Sequence, residues 1–194
     1  MNDLKTEKGI QQVRVQLAEL LAETVNRSFS ILALEIDTEI TMELQERIAA
    51  LVFNEQVNDS PAVQYLAVWE DGCKEITHLY MSPKIKGLLG YSAEELGRIG
   101  YDSIVGSDIL SFYRDQDHVE EKIIPIPIAK EKRKAGFLGN RNWEGFYTLK
   151  KKNGTDIWVI DKAIITKFRN NLKKNVICVS GGLLVETTHV LDGR

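Results

Sequence analysis

Three apolar segments near the carboxyl end of the chain are separated only by short turns. The segments are WEGFYTLKKK, DIWVIDKAIITKF and VICVSGGLLVE, and the turns are Asn153–Gly154 and the polar run NNLKKN. Asn-Gly is a dipeptide that favours tight hairpin turns. β-branched and aromatic segments joined this closely are typical of antiparallel neighbours. The sequence therefore predicts a three-stranded meander, which limits the fold to one built on an antiparallel sheet.

A second hairpin is predicted where AVQYLAVWE and KEITHLYM flank Asp71–Gly72, another dipeptide that favours tight turns. Two short helices are predicted between this hairpin and the meander. Ser82–Pro83 suits the start of the first, since the hydroxyl accepts from a backbone N–H and proline already has a helical φ. Gly90 can adopt the left-handed conformation that ends this helix. Ser92 begins the second helix, because SAEE has the S-x-x-E form of a capping box.

The stretch between residues 99 and 140 is less regular. We predict one or two short helices in YDSIVGSDILSFYRD. Pro125 and Pro127 exclude IIPIPIAK from the centre of a sheet, because proline cannot donate a ladder hydrogen bond. The order β-β-α-α-(α)-β-β-β predicts an α+β fold, with a five-stranded antiparallel sheet and short helices on one face.

The composition changes near residue 60. Gly9 is the one glycine before this point, whereas all four prolines and the other thirteen glycines follow it. Apolar residues at helical spacing occur in residues 8–27 and in TEITMELQERIAALVF. We therefore predict an N-terminal helical segment over residues 1–58 and a sheet domain over residues 59–190. Periodicity leaves open whether residues 8–58 form one helix or several elements, and the apolar stripes favour packing on a second copy or on the sheet domain.

Two motifs in this order and spacing carry a resemblance to a known family. ITHLYMSPKIKGLLGYSAEELG resembles the first half of a PAS domain, and FYTLKKKNGTDIWVIDKAIIT resembles the second half. The resemblance covers residues 62–188. Three features depart from the family pattern: Ser82 replaces the usual asparagine but still caps a helix, Glu186-Thr187-Thr188 replaces Asp-Ile-Thr, and residues 113–142 form a longer and more basic connection.

The resemblance implies a sensory or interaction module with a cavity between the sheet and the short helices. It also implies that signals leave through the terminal helices, commonly in a homodimer, towards an output domain or a partner protein. We expect a small-molecule ligand in this cavity, which is largely apolar in such sites. The candidate ligand-binding residues are Tyr65, Trp69, Met81, Leu89, Phe112, Trp158, Val179 and Gly181. The alternative is that these side chains only fill the core. Gly181-Gly182 is the more suggestive pair, because glycine in a strand often marks a close approach of other atoms.

The sequence leaves haem and non-covalent flavin open as cofactors. His118 is the histidine closest to the position of an axial haem ligand in related domains, but Asp115, Asp117 and Glu120 around it favour a solvated turn. Covalent flavin chemistry of the LOV subclass needs a cysteine in an Asn-Cys-Arg-Phe-type helix. GNRNWEGF contains none, and the two cysteines are Cys73 and Cys178, so the sequence argues against it. No pair of histidines has metal-ligand spacing on one element.

Composition and motifs exclude several other functions. A net charge of −3 disfavours general polyanion binding, and the basic runs at residues 130–134 and 150–152 are better read as solvated faces than as a nucleic-acid site. The sequence contains no apolar run of 18 residues and no secretory signal, so we expect a cytoplasmic protein without membrane contact. No catalytic motif is present, so no enzymatic activity is expected in this chain.

The resulting prediction is a sensory or regulatory PAS domain of a signal-transduction protein, which binds a small molecule and relays the signal through terminal helices and dimer contacts. The alternative is a ligand-free PAS-type interaction or dimerisation module. The identity of the ligand and of the output domain stays open at this point, as does whether Arg194 is the natural C-terminus.

Overall fold

The computed structural model describes residues 35–73, 76–115, 118–125 and 142–187, with side chains for all of these except 107–125 and 142–143. The elements in chain order are α1 (Thr38–Val57), β1 (Val63–Glu70), β2 (Thr77–Met81), α2 (Ile85–Leu89), α3 (Ala93–Ile99), a 3-10 turn (Tyr101–Ile104), β3 (Val105–Asp115), β4 (His118–Pro125), β5 (Asn142–Lys150), β6 (Asp156–Asn170) and β7 (Asn175–Thr187). The fold is α+β, as predicted.

The sheet of the described residues has seven strands in the order β2-β1-β7-β6-β5-β3-β4, and all neighbours are antiparallel. The five predicted strands are confirmed as β1, β2, β5, β6 and β7, which are consecutive in the sheet. The predicted number of five is too low, because β3 and β4 extend the sheet beyond β5. Pro125 ends β4, the outermost strand, in agreement with its exclusion from a central position.

The prediction of helices in YDSIVGSDILSFYRD is wrong for most of that segment. Only Tyr101–Ile104 forms a helical turn, and Val105–Asp115 is strand β3. Short apolar runs are ambiguous between helix and strand when judged by spacing alone. This segment forms a strand because the edge of β5 is available for pairing. Strand β3 pairs with β5 on one side and with β4 on the other.

The two faces of the sheet are covered by different helices. On β1, alternate side chains such as Tyr65 and Trp69 pack beneath α2 and α3, on what we call the inner face. Leu66 and Val68 pack beneath α1 on the opposite, outer face. Nearly every side chain of β1 is therefore buried, which explains why VQYLAVW is apolar apart from Gln64. The short helices lie on one face as predicted, and the N-terminal helix covers part of the other.

Helix α1 is held at its start by the end of strand β6. Asp37 caps the helix by accepting from the Ile40 N–H at 3.0 Å, and its other carboxylate oxygen accepts from the Asn171 N–H at 2.8 Å. The predicted apolar stripe is confirmed in its central part, because Ile40, Leu44 and Ile48 are buried against the sheet. Residues 1–34, which carry the stripe at residues 8–27, lie outside the described residues. None of the helices in the described part is long and apolar enough to cross a membrane.

The short helices have the predicted end signals except at the start of α2. Gly90 ends α2 with φ of 79°, as predicted, but α2 begins at Ile85 and its N-cap residue is Lys84, which makes no side-chain cap hydrogen bond. The Ser82 hydroxyl instead accepts from the Lys84 N–H at 3.1 Å in the turn before the helix. The capping box of α3 is complete: the Ser92 hydroxyl accepts from the Glu95 N–H at 3.2 Å, and the Glu95 carboxylate accepts from the Ser92 N–H at 2.9 Å. The two helices therefore follow one another across a single sharp turn.

Candidate functional site

A buried carboxylate lies at the centre of the inner face. Asp161 on β6 is only 2% exposed and stands between the inward-facing apolar residues Val159 and Ala163. The Tyr65 hydroxyl donates to one of its oxygens at 2.7 Å, and the Tyr147 hydroxyl donates to the other at 3.1 Å. A carboxylate is costly to bury unless its oxygens are hydrogen-bonded. The two tyrosines from β1 and β5 supply these bonds, so the arrangement depends on three strands.

The hydrogen-bonded chain continues towards the surface. The hydroxyls of Tyr101 and Tyr147 lie 3.1 Å apart, and Tyr101 is only partly buried in the 3-10 turn. The His78 ring lies between two tyrosines, with ring centroids 5.8 Å from Tyr65 and 5.0 Å from Tyr101. We refer to Asp161, Tyr65, Tyr147, Tyr101 and His78 as the polar cluster. It extends from the buried Asp161 carboxyl group to the partly buried Tyr101.

The protonation of Tyr147 follows from its surroundings. Burial raises the pKa of the Tyr147 hydroxyl well above its ordinary value, and the negative charge of Asp161 raises it further. Both effects disfavour a second negative charge beside the carboxylate. Tyr147 therefore keeps its proton at neutral pH and remains a hydrogen-bond donor to Asp161.

Small residues surround the polar cluster on the inner face. They occupy paired positions on four neighbouring strands: Ala67, Gly145, Ala163, Ser180 and Gly182. The Tyr65 ring fills the space above Gly182, where a Cβ atom would overlap it. The expected close approach at the Gly181-Gly182 pair therefore occurs at Gly182. Gly181 faces the other way, and a Cβ there would make an ordinary contact with Leu66 at 3.9 Å.

The predicted ligand-binding residues fall on both faces of the sheet. Tyr65, Trp69 and Leu89 are buried on the inner face, and the partly buried Met81 packs against them. Val179 belongs to the core beneath α1, and Trp158 stacks on Phe146 with ring centroids 4.7 Å apart.

Trp158 directly precedes Val159, an inner-face residue, so strand alternation places Trp158 on the outer face. Trp158, Val179 and Gly181 therefore do not line one cavity with Tyr65 and Met81. Phe112 pairs with Glu144 across the β3–β5 ladder, and its side chain is outside the described set.

The sequence analysis did not select Asp161, Tyr147 or Tyr101. One signal in the sequence could have identified Asp161. Every second residue of β6 is buried, and the other buried positions around Asp161 are apolar: Val159, Ala163 and Ile165. An acidic residue on the buried face of a strand is rare unless it is paired. Which tyrosines would satisfy it depended on the order of strands in the sheet.

The histidines and cysteines are the side chains that bear on the expected cofactors. His118 starts the edge strand β4, its side chain is outside the described set, and His189 lies beyond the described residues. Cys73 is exposed at the first hairpin turn, whereas Cys178 is buried on the inner face. Burial raises the pKa of Cys178 to about 11. Among residues with described side chains, no group of three or more His, Cys, Asp or Glu could hold a metal ion.

Solved structures similar to this chain include LOV and PAS domains. An RNA-binding light-oxygen-voltage receptor is 13% identical over 72% of this chain and 33% of its own length, with a TM-score of 0.41. A sensory box histidine kinase/response regulator from Burkholderia thailandensis E264 is 16% identical over 70% of this chain and 84% of its own, with a TM-score of 0.37. The PAS domain of the fruit-fly ELK potassium channel is 13% identical over 72% and 98%, with a TM-score of 0.38. The chain matches no protein-family model and no curated protein.

The structural features expected from the sequence resemblance are present in the molecule itself. Five consecutive strands of the sheet come from the two segments that carry the resemblance, and the two capped helices cover their inner face. The fold is of the PAS type. Relative to the expected five strands, this PAS-type domain adds the β3–β4 hairpin at the β5 edge and places α1 on the outer face.

Proposed function

We propose that this PAS-type domain is the sensory part of a signal-transduction protein, and that it binds a small polar molecule at the polar cluster. The observation that carries the proposal is the buried Asp161 carboxylate, bonded by two tyrosine hydroxyls in an apolar interior beneath two short helices. Ligand sites in proteins are mostly apolar, with a few converging polar groups that orient the ligand. The polar cluster supplies such converging polar groups, and the apolar core of the inner face surrounds them.

The chemistry of the polar cluster indicates what it would recognise. Asp161 is an acceptor, so a ligand that carries N–H or O–H donors would compete with a tyrosine for one of its oxygens. Tyr101 and His78 are partly buried at the outer end of the cluster, which makes this side the route of entry. A tyrosine displaced from Asp161 would have to move, and α2 and α3 pack on the same core as Tyr65. Helix α1 would then relay the change to an output domain or partner protein.

Native mass spectrometry of the full chain, as purified and after incubation with a cell metabolite extract, tests this function. We expect additional mass that is lost on denaturation. Asp161→Asn keeps the shape of the side chain but removes its charge, and it should lower ligand occupancy about tenfold. Asp156→Asn is the matched control, because Asp156 is exposed at the start of the same strand. The proposal is contradicted if the wild-type protein shows no additional mass in either preparation. It is also contradicted if Asp161→Asn shows the same ligand occupancy as wild type.

A specific observation also favours the alternative, a dimerisation module. Beyond the area covered by α1, the outer face presents three exposed apolar side chains on β6 and β7: Ile164 (64% exposed), Leu183 (44%) and Val185 (37%). Lys162 lies opposite Leu183 on the same face, so the apolar surface includes one charged side chain. Apolar side chains exposed together on one face are typical of a protein interface. A second copy of the chain would bury this surface by pairing through the same face.

Light scattering during gel filtration distinguishes this alternative. We expect a dimer that Ile164→Lys with Leu183→Lys converts to a monomer. Leu172→Lys is the control, because Leu172 is equally exposed but lies in the β6–β7 turn. A monomeric wild-type protein at high concentration would exclude the interface, and a dimer unaffected by the double substitution would place it elsewhere.

A further inference from the structure

A single lysine connects the helices on opposite faces of the sheet. The Lys84 ammonium group lies 3.0 Å from a carboxylate oxygen of Glu55 near the end of α1. It also donates to two backbone carbonyls in the segment that follows α1, those of Asn58 at 3.1 Å and Ser60 at 2.8 Å. Lys84 itself immediately precedes α2. Three contacts from one ammonium group thus join the beginning of α2 to the end of α1.

The backbone that carries Lys84 is firmly placed. Ser82 is completely buried, and its hydroxyl accepts from the Lys84 N–H at 3.1 Å. The Ser82 N–H in turn donates to the Gln64 carbonyl of β1 at 2.8 Å. Movement of α2 therefore displaces the Lys84 ammonium group together with the turn that begins the helix.

The surroundings of the Glu55 carboxylate make the end of α1 depend on the charge of Lys84. The Glu55 side chain is only 13% exposed, and both of its carboxylate oxygens are buried with no hydrogen-bond partner among the described residues, so the Lys84 ammonium group contacts Glu55 as an ion pair only. Burial raises the pKa of Tyr80 to about 12, and the negative charge of Glu55 adds to this effect. The Lys84 side chain is 32% exposed, so the pair is only partly buried. Withdrawal of Lys84 would leave the Glu55 carboxylate without its counter-charge, which favours movement of Glu55, and with it the last turn of α1, towards water.

The far end of α2 is attached to a different part of the domain. The Lys152 N–H in the β5–β6 turn donates to the Leu89 carbonyl at 2.9 Å. The Lys152 ammonium group also lies 2.7 Å from Glu95 of α3. These contacts join α2, α3 and the β5–β6 turn, and we refer to the two helices together as the lid.

We propose that Lys84 is a latch that couples the lid helix α2 on the inner face to the end of α1 on the outer face. The inference deepens the proposed sensory function: that function supplies the stimulus, and the latch is the route by which the stimulus leaves the inner face. The coupling passes around the sheet edge, by way of the turn after β2, and needs no rearrangement of the strands.

Hydrogen exchange of four full-length proteins tests the latch: wild type, Asp161→Asn, Lys84→Met and the double variant. Asp161→Asn disturbs the polar cluster without a ligand. In the wild-type background we expect it to change exchange in the last two turns of α1 about fivefold, the lower range of typical coupling between sites. Lys84→Met alone should make exchange in the last two turns of α1 faster than in wild type. Adding Asp161→Asn to Lys84→Met should then change the logarithm of the exchange rate by less than about half of what Asp161→Asn changes it in the wild-type background.

The controls separate the latch from general destabilisation. Lys86→Met removes an exposed lysine from the same helix and should leave α1 exchange as in wild type. Tyr147→Phe removes one hydroxyl from the polar cluster and replaces Asp161→Asn if that variant does not fold. The latch is contradicted if Asp161→Asn leaves the exchange rate in α1 unchanged. It is also contradicted if Asp161→Asn changes this rate equally with and without Lys84. Ligand retention in the mass spectrometry experiment is scored separately, so the sensory function can fail while the coupling holds, and the reverse.

Discussion

Tyr65 has two roles at the scale of single residues. Its hydroxyl donates to the Asp161 carboxylate, and its ring occupies the space above Gly182 on the neighbouring strand. The ring position brings the hydroxyl to Asp161, so the glycine and the aspartate depend on each other through one tyrosine. A change at either end of this arrangement is therefore expected to disturb the other.

Substitution at Gly182 tests this dependence. A Cβ atom at residue 182 overlaps the Tyr65 ring, so Gly182→Ala should lower the free energy of unfolding by about 1–3 kcal/mol, the usual range for overpacking. Gly181→Ala is the matched control, since its Cβ would make an ordinary contact on the outer face; its stability should be unchanged or raised by up to about 1 kcal/mol. Urea unfolding measures both. Equal effects at the two glycines would show that the Tyr65 ring does not require Gly182.

Removal of the Tyr65 hydroxyl isolates the hydrogen bond. Tyr65→Phe leaves one oxygen of a buried carboxylate without this donor, which should cost about 1–3 kcal/mol in unfolding free energy. Tyr91→Phe is the comparison, because Tyr91 is half-buried beside Lys152 and should change stability by less than about 0.5 kcal/mol. A Tyr65→Phe protein as stable as Tyr91→Phe would mean that Asp161 gains little from this bond.

At the scale of elements, α3 is stabilised at its start by one carboxylate. Hydrogen bonding to Lys152 lowers the pKa of Glu95 most, and the Ser92 N–H lowers it further. A carboxylate whose folded-state pKa is lowered stabilises the protein above the unfolded-state pKa, and this contribution is lost as the pH falls through the folded-state value. Glu95 therefore favours folding at neutral pH and ceases to do so in acid.

The acid side of the stability curve tests this contribution. Between about pH 5 and pH 3, the wild type should lose stability more steeply than Glu95→Gln, which has no charge to lose. Glu94→Gln is the control, because Glu94 is exposed in the same turn of α3. Thermal melting at several pH values in this range measures the slopes. Parallel curves for wild type and Glu95→Gln would contradict the role assigned to Glu95.

Local signals in the sequence were sufficient for the short helices and the hairpins. The caps at Gly90 and Ser92 and the turn at Ser82 depend on side chains and φ values within a few residues, so they can be identified without knowledge of the fold. Strand β3 differs, because its conformation depends on pairing with β5, some forty residues later in the chain. Periodicity does not distinguish helix from strand in a run this short.

At the scale of the whole molecule, α1 belongs to the same packed unit as the sheet. Leu44 and Ile48 of α1 are completely buried against β1 and β7, in a core with Leu66 and Val179. The composition of the sequence changes near residue 58, between the helical segment and the sheet domain. In the structure, however, α1 packs on the outer face of the sheet, so the two segments share one core. We therefore expect α1 and the sheet to unfold together.

Replacement of one α1 core residue tests this cooperativity. Leu44→Ala should lower the free energy of unfolding by about 2–5 kcal/mol, as for other fully buried leucines. Met42→Ala, at an exposed position of the same helix, should change it by less than about 0.5 kcal/mol. Far-ultraviolet circular dichroism and tryptophan fluorescence should report one coincident transition. A tryptophan transition that Leu44→Ala does not shift would show that the sheet domain folds independently of α1.

The sequence by itself determined the α+β class, the five strands of the PAS resemblance, their turns and the caps of the lid helices, because these depend on alternation and on residues close together in the chain. The tertiary structure decided which face each residue occupies relative to the helices, and hence that Tyr65 and Met81 lie apart from Trp158 and Val179. The tertiary structure also brings together the residues of the polar cluster and the groups that contact Lys84. These groups are far apart in the sequence, and only the packing of the strands and helices brings them within hydrogen-bonding distance.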